Sequence, residues 1–539
     1  MSKNGGFTRT QVLIVLAIAE GILTAILAVI FLFPKPYAMS WGEEIDRREN
    51  YVYVENQTLT QKDLETIASI KTLRYLRLTD CNVAECRLPE LRFASRELRD
   101  VDLSGTEGLW DLSFLSNLQA ERLTLSRCKG IEDLSVLNFG VLENLDVSNT
   151  AVSDLSPLAG SQLMSIDFSH TNVSDLTPLT SMNDLWEVDG SYTKVSSLEP
   201  LAQNRGIWRI HFDGCPITEF PSNLAASYMD EVSLAHTQIT DLSGLAGVRG
   251  PSELNITGNP QITDLSWVDE DMCESLDKLN VGMTGLTADD LGWLRSCPNL
   301  RELTLDGIEL GNLDMCRAMH NLSFISALGC GLTDVSGIKN CSELEGILLG
   351  YNHVTDLTDL PRPSDEWPSM EVDLSHNGLT SLDGLPAGSY RCLLLHGNNL
   401  DYTRKMLQGV DCYSTIVSWG EGIEKSVLTD SYRFSDVYLL DCPPSEFGTV
   451  DKAFGSFQLT RITKDELLYR LRSDGFSYSV YGDYKGYVEY AESRGDGDAD
   501  AGEKLAEGTA DKDQTKAEGE AATEEVAKDE TAVSPDDKE

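Results

Sequence analysis

From residue 50 onward one phrase returns about every 22 residues, and it can be seen by laying two stretches over each other. Leu142-Glu-Asn-Leu145-Asp-Val147-Ser-Asn-Thr150-Ala-Val152-Ser-Asp154-Leu155-Ser-Pro157-Leu158 matches Leu163-Met-Ser-Ile166-Asp-Phe168-Ser-His-Thr171-Asn-Val173-Ser-Asp175-Leu176-Thr-Pro178-Leu179. A unit this short cannot bury its own apolar residues, so it must stack on its neighbours. Within each unit the alternation of apolar and polar residues predicts a short strand with one face toward a core and the other toward water. The strand centres fall at Val52, Leu76, Val101, Leu123, Leu145, Ile166, Val188, Ile210, Val232, Leu254, Leu279, Leu303, Ile325, Ile347, Val372 and Leu393.

A small side chain follows most of the strands. It is Thr at 106, 150, 171, 193, 237 and 284, Cys at 81, 128, 215 and 330, and Asn at 259, 352, 377 and 398. Such side chains can pair with turn backbone that would otherwise be buried unbonded. This assigns those cysteines a packing role rather than a ligand or nucleophile role. Further along, Pro157 and Pro178 suit a tight return turn better than a long helix, so short turns or 3₁₀ pieces are expected on the convex side.

The hydrophobic-Thr/Ser-Asp-Leu-Ser/Thr-Pro-Leu phrase at Val152–Leu158 and Val173–Leu179, with its variant at Ile239–Leu245, resembles the internalin-like leucine-rich repeat proteins of bacteria. The resemblance covers residues of about 50–400. It implies an α/β repeat solenoid, a leucine-rich repeat horseshoe with a parallel sheet on its concave face. It also implies a cell-surface protein that binds other proteins. No L-P-x-T-G sorting signal occurs near the C-terminus, so anchoring is expected to fall to the N-terminal segment, and a role in host invasion does not carry over.

That segment, Val12–Phe33, carries one charge, Glu20, and at ~1.5 Å per residue reaches roughly 33 Å, enough to cross a bilayer core. It is too long for the apolar part of a signal peptide. Lys3 and Arg9 precede it, which places residues 1–11 in the cytoplasm and the rest outside. Ala17, Gly21 and Ala25 have the spacing of a helix–helix contact beside Glu20, so a homodimer through them stands beside the simpler reading of one tolerated polar residue.

Residues 34–50 read as a linker and 51–400 as the repeat domain. Over 401–490 the leucine frame fails. A small α/β module is expected there, with strands at Val437–Leu440 and Phe457–Ile462, a helix at Ser445–Phe454, and a second opening with the capping box at Thr463–Glu466. It is either a cap or a separate domain, and Cys412 could pair with Cys442 if the two are close. Residues 491–539 have too little apolar surface to order themselves, so the tail is expected to be disordered. Its Asp496, Asp498, Asp500 and Glu507 imitate a calcium loop with Ala501 where glycine is required, and a solvated acidic tail is the better reading.

Composition enters at the point of function. Against 43 Lys+Arg stand 87 Asp+Glu, a formal net charge of −44, and such a field repels nucleic acid. The 12 cysteines include no C-x-x-C pair, so neither a zinc ribbon nor a redox dithiol is supported. His170, His236 and His376 share one repeat position but lie roughly 14 Å or more apart along a stack, too far to share a metal. No nucleophile–base motif or phosphate loop appears, so neither catalysis nor a cofactor or metal is expected.

The expectation is instead a protein partner. The position after the strand centre holds Asp102, Thr124, Asp146, Asp167, Asp189 and His211 in consecutive units, and ~4.8 Å spacing brings the three adjacent carboxylates within mutual repulsion unless a cation or basic partner intervenes. Trp186 and Trp208 occupy equivalent positions beside them, with Tyr192 and Asp213 nearby, a composition typical of interface hot spots. Two readings remain open: a concave protein-binding face built on these eight residues from Asp146 to Asp213, and a solvated face on a structural, envelope-organising spacer.

Overall fold

The structure is a computed structural model that describes residues 37–40, 42–46, 48–116, 118–137, 139–363, 370–402, 410–418, 422–423, 434–440 and 458–462. Among the described residues nineteen strands form one parallel sheet. Pairing runs in chain order from Tyr51–Glu55 to Gln458–Ile462, each strand hydrogen-bonded to the ones before and after it. All sixteen expected strand centres lie inside these strands.

The middle units have strands of only three residues, such as Ser165–Asp167 and Glu187–Asp189. In each the central residue is buried and its two neighbours are half-buried, as a period of two demands when one face is core and the other is not. Return segments are short. Ser156–Leu158, Thr177–Leu179 and Glu199–Leu201 are 3₁₀ turns with proline in the first positions. Asp154 Oδ1 accepts the Ser156 N–H and Asp175 Oδ1 the Thr177 N–H, both at 2.8 Å, so the Asp-Leu-Ser/Thr phrase is a turn-capping device. The expected parallel sheet with short 3₁₀ returns is what the chain forms.

The post-strand Thr/Cys/Asn column is buried apart from the half-buried Thr284. Thr150 and Thr171 donate to Val147 O and Phe168 O within their own unit at 2.6 Å. Cys128 and Cys330 instead reach back to carbonyls of the preceding unit, Leu103 O at 3.0 Å and Leu305 O at 3.2 Å. Asparagine does both. Asn352 Nδ2 donates to Ala327 O at 2.7 Å and to Leu349 O and Gly350 O at 3.0 Å, while its Oδ1 accepts Cys330 N–H at 2.8 Å and Leu332 N–H at 3.0 Å.

Two regions differ from expectation. The stretch assigned as a linker, 34–50, is partly docked. Met39 is buried, and Ser40 donates through its N–H at 2.9 Å and its hydroxyl at 2.5 Å to Asp63. Asp63 sits in the capping box of helix α1, Gln61–Ala68, whose buried Leu64 and Ile67 cover the start of the core. An open solenoid end exposes apolar core, and this segment helps close it. At the other end the ladder does not stop where the leucine frame does. Val410–Ser418, Phe434–Leu440 and Gln458–Ile462 pair in parallel register with the strands before them, because backbone pairing needs no leucine code. The two strands expected near 437–440 and 457–462 are present, as continuations of the repeat sheet.

Among the described residues no helix is long and apolar enough to cross a membrane. The expected span 12–33, the helices after Ser445 and Thr463, Cys442 and the tail lie outside them.

The asparagine column makes a testable claim. Asn352→Ala removes the partner of five backbone groups, and each one left stranded costs roughly 1–3 kcal/mol, so urea unfolding should show a loss of at least about 3 kcal/mol. Thr150→Ala, which removes one bond, should cost about 1 kcal/mol. Equal losses would mean that the column fills space rather than bonding backbone.

Candidate functional site

The strand register places Asp146, Asp167, Asp189, His211 and Ser233 directly beside one another in five consecutive strands. The carboxylates are half-buried, and each is already engaged on one oxygen. Asp146 Oδ1 accepts the Ser148 N–H at 2.9 Å and hydroxyl at 2.7 Å. Asp167 Oδ1 accepts the Ser169 N–H at 2.8 Å, and Asp189 Oδ1 the Ser191 N–H at 2.9 Å. The stripe therefore grows from the local Asp-x-Ser turn that leaves each strand, a signal present in the sequence but masked by the more conspicuous leucines.

Burial, more than mutual repulsion, pushes the Asp146 carboxyl up and the Asp167 carboxyl up to about 6. Hydrogen bonds from Ser148 and Ser169 oppose the shift, and the neighbouring carboxylates add to it. Among the described residues neither Asp146 nor Asp167 forms an ion pair within 4 Å; the nearest cationic partner of the stripe is His211, 3.9 Å from Asp189. Asp213 is used differently. Its Oδ1 crosses to the next unit, accepting the Ser233 hydroxyl and the Ala235 N–H at 2.7 Å each, which makes it a turn-holding group.

His211 lies 3.2 Å from Glu231. Burial disfavours its charge, but Glu231 outweighs burial, with Asp189 and Asp213 contributing, and the imidazole is held above its ordinary value. Arg209 pairs with Asp230 at 2.9 Å and Glu231 at 3.8 Å, and Lys278 with Glu253 at 2.8 Å. The face thus divides into an acidic part without internal cations, around Asp146 and Asp167, and a part where charges are paired.

The aromatic residues gather along the strand entrances. Met164, Trp186 and Trp208 are joined by backbone bonds, Trp186 N to Met164 O at 2.8 Å and Trp208 N to Trp186 O at 2.9 Å. The two indoles are 6.4 Å apart, and Tyr228 meets Trp208 edge-on at 6.2 Å. Trp208 is 50% exposed and Trp186 half-buried, so Trp208 is the member of the pair offered to solvent. Tyr192 stands apart, on the turn column, stacked on His170 at 4.6 Å with both residues at positive φ.

One feature of this face was missed. In Phe324–Ser326, Gly346–Leu348 and Met370–Asp373 every residue is buried, including Glu371 at 1% and Asp373 at 0% exposure. The exposed part of the face therefore ends near Glu302–Thr304. For Phe324–Ser326 and Gly346–Leu348 the signal was the loss of charge at the positions flanking each centre; Met370–Asp373 keeps Glu371 and Asp373 there and carries no such signal.

This architecture defines a leucine-rich repeat fold. No family model matches the chain. It is 33% identical over 102 residues to mouse leucine-rich repeat-containing protein 56, a match covering 19% of this chain and 17% of that protein. A leucine-rich repeat protein of Leptospira interrogans shares the fold, with 15% identity, 65% of this chain and 91% of that one covered, and a TM-score of 0.51. An internalin of Listeria monocytogenes, InlF, aligns at 20% identity over 53% of this chain and 90% of its own, with a TM-score of 0.43.

The raised Asp167 carboxyl has a sign that can be measured. Its proton is held more tightly in the fold than at the ordinary value of 3.8, so its favourable contribution is fully present below 3.8 and is lost as pH rises through about 6. Asp167→Asn keeps an oxygen for the Ser169 N–H and should be more stable than wild type at pH 7, the advantage fading toward pH 4. Urea midpoints across that interval would show this; a pH-independent difference would refute it.

Proposed function

We propose that the chain is a membrane-anchored, extracytoplasmic binding protein that captures a protein partner on the concave sheet face between Asp100–Asp102 and Glu302–Thr304. The observation that carries this reading is the exposed indole of Trp208, set between Trp186 and Tyr228 on a face whose Asp167 and Asp146 carboxylates, two and three strands away, form no ion pair among the described residues. A large aromatic held on a rigid strand end loses little entropy on binding, which is how interface anchors work. The anchor is supported by the apolar run at Val12–Phe33 and the Lys3 and Arg9 charges before it. A homodimer through Ala17, Gly21 and Ala25 belongs to the same proposal.

One observation favours the alternative, a spacer without a dedicated ligand: each aspartate already serves its own turn, so the stripe has a structural reason to exist.

Cross-linked capture by the full chain separates the two. The binding reading expects a defined set of proteins retained by wild type and lost from a folded Trp186→Ala/Trp208→Ala variant, whereas a spacer retains the same set in both. Independently, deleting Val12–Phe33 should move the chain from the membrane pellet to the supernatant; retention in the pellet would remove the anchor.

A further inference from the structure

The acidic stripe and the aromatic ridge lie on the same strands, three residues apart: Met164 and Asp167, Trp186 and Asp189. At ~3.3 Å per residue the two rows are separated by roughly 10 Å, about the width of a helix with its side chains. Glu187 lies between them on the central strand and Ser165 donates to it at 2.7 Å, so the ground between ridge and stripe is also anionic.

The protein itself shows how such ground is occupied. Arg209 places its guanidinium 5.9 Å from the centroid of the Trp186 ring and neutralises its charge on Asp230 at 2.9 Å. Indole below and carboxylate beside is a favourable setting for a cation, worth more as water is excluded. Two and three strands earlier on the same face, carboxylates recur without a cation. Asp146 and Asp167 each hold one oxygen on a serine and have no cationic neighbour within 4 Å among the described residues, while Trp208 and Met164 remain exposed.

We infer that this quarter of the face, Asp146, Asp167 and Asp189 with Met164, Trp186 and Trp208, docks a cationic amphipathic polypeptide segment, its Lys or Arg edge on the carboxylates and its apolar edge on the ridge. The inference rests on the concave-face reading and adds the chemistry of the partner. Charge complementarity selects it: an acidic or neutral segment would leave the neighbouring Asp146 and Asp167 carboxylates desolvated without a counter-charge.

The test uses the full chain and two labelled synthetic peptides of equal length, a Lys/Leu amphipath and a Glu/Leu amphipath, with binding read by anisotropy at low and at 0.5 M salt. Variants are Asp146→Asn/Asp167→Asn/Asp189→Asn, which keeps an oxygen for each serine N–H, and Trp208→Ala. The Lys/Leu peptide should bind wild type, lose affinity with salt, and bind each variant at least about tenfold more weakly, a change of ~1.4 kcal/mol. Binding to the acidic tail is common to all three proteins and sets the baseline. Equal Lys/Leu affinity for wild type and both variants, or none at all, overturns the cationic partner. Preference for the Glu/Leu peptide, abolished by Trp208→Ala, also overturns it but leaves the concave face as a binding surface, so the two readings fail separately.

Discussion

Stacking units of this length creates one recurring difficulty: the turn after every strand is pressed against the turns before and after it, where its N–H and C=O groups have no water. The Thr/Cys/Asn column is the answer, and its members are not equivalent. Threonine at 150, 171, 193 and 284 closes a bond within its own unit while Thr106 reaches back to Leu78 O, cysteine reaches back one unit, and asparagine at 259, 352, 377 and 398 bonds both its own and the preceding unit, accepting from a third group through its oxygen. Asn352 and Asn377 follow Gly346–Leu348 and Met370–Asp373, which are buried on both faces, whereas Asn259 follows the half-buried Glu253–Asn255 and the buried Phe324–Ser326 is followed by Cys330.

The same demand for backbone partners creates the charge on the exposed face. An aspartate two residues before a serine ties the strand exit, and because the units repeat, the tie repeats as a row of carboxylates. Repulsion among them is tolerated since each gains a hydrogen bond and one oxygen remains near solvent. Further along, the face neutralises itself: Arg209 with Asp230, His211 with Glu231, Lys278 with Glu253. The acidic quarter is thus a local departure from a face that otherwise pairs its charges.

How far the sequence could be read follows from these two devices. All sixteen leucine-coded strand centres were legible because each needs an apolar residue at one fixed phase. The stripe of Asp146, Asp167 and Asp189 was legible too, since a parallel register copies repeat position into space. Two of its assigned companions were not. Asp213 looked like Asp189 in type and location, but its carboxylate crosses to Ser233 and Ala235, a geometry no spacing rule conveys. Tyr192 lay near in sequence but belongs to the positive-φ turn column, stacked on His170 rather than beside the tryptophans. The strands after residue 400 escaped the leucine frame because parallel pairing is a backbone property, and the docking of Ser40 on Asp63 escaped it because it is a single long-range contact.

Dimensions then restrict what kind of partner the face suits. Ten strands from Asp100–Asp102 to Glu302–Thr304 at ~4.8 Å spacing give a face of roughly 43 Å, ample for an ordinary protein interface of about 800 Å² per partner. The unneutralised acidic ground is far smaller, the width of the two strands of Asp146 and Asp167 and roughly 10 Å along them. A folded partner large enough to cover the whole face would have to match the paired charges of the later strands as well, displacing water from ion pairs that gain little by it. A segment laid from Asn144–Asp146 to Arg209–His211 meets the exposed Met164 and Trp208 and the Asp146 and Asp167 carboxylates, and reaches the paired Arg209 and His211 only at its edge. The asymmetry of the face, open and acidic at Asp146, self-paired at Arg209 and Lys278, closed at Phe324, is therefore itself an argument for a narrow footprint near the first third of the sheet.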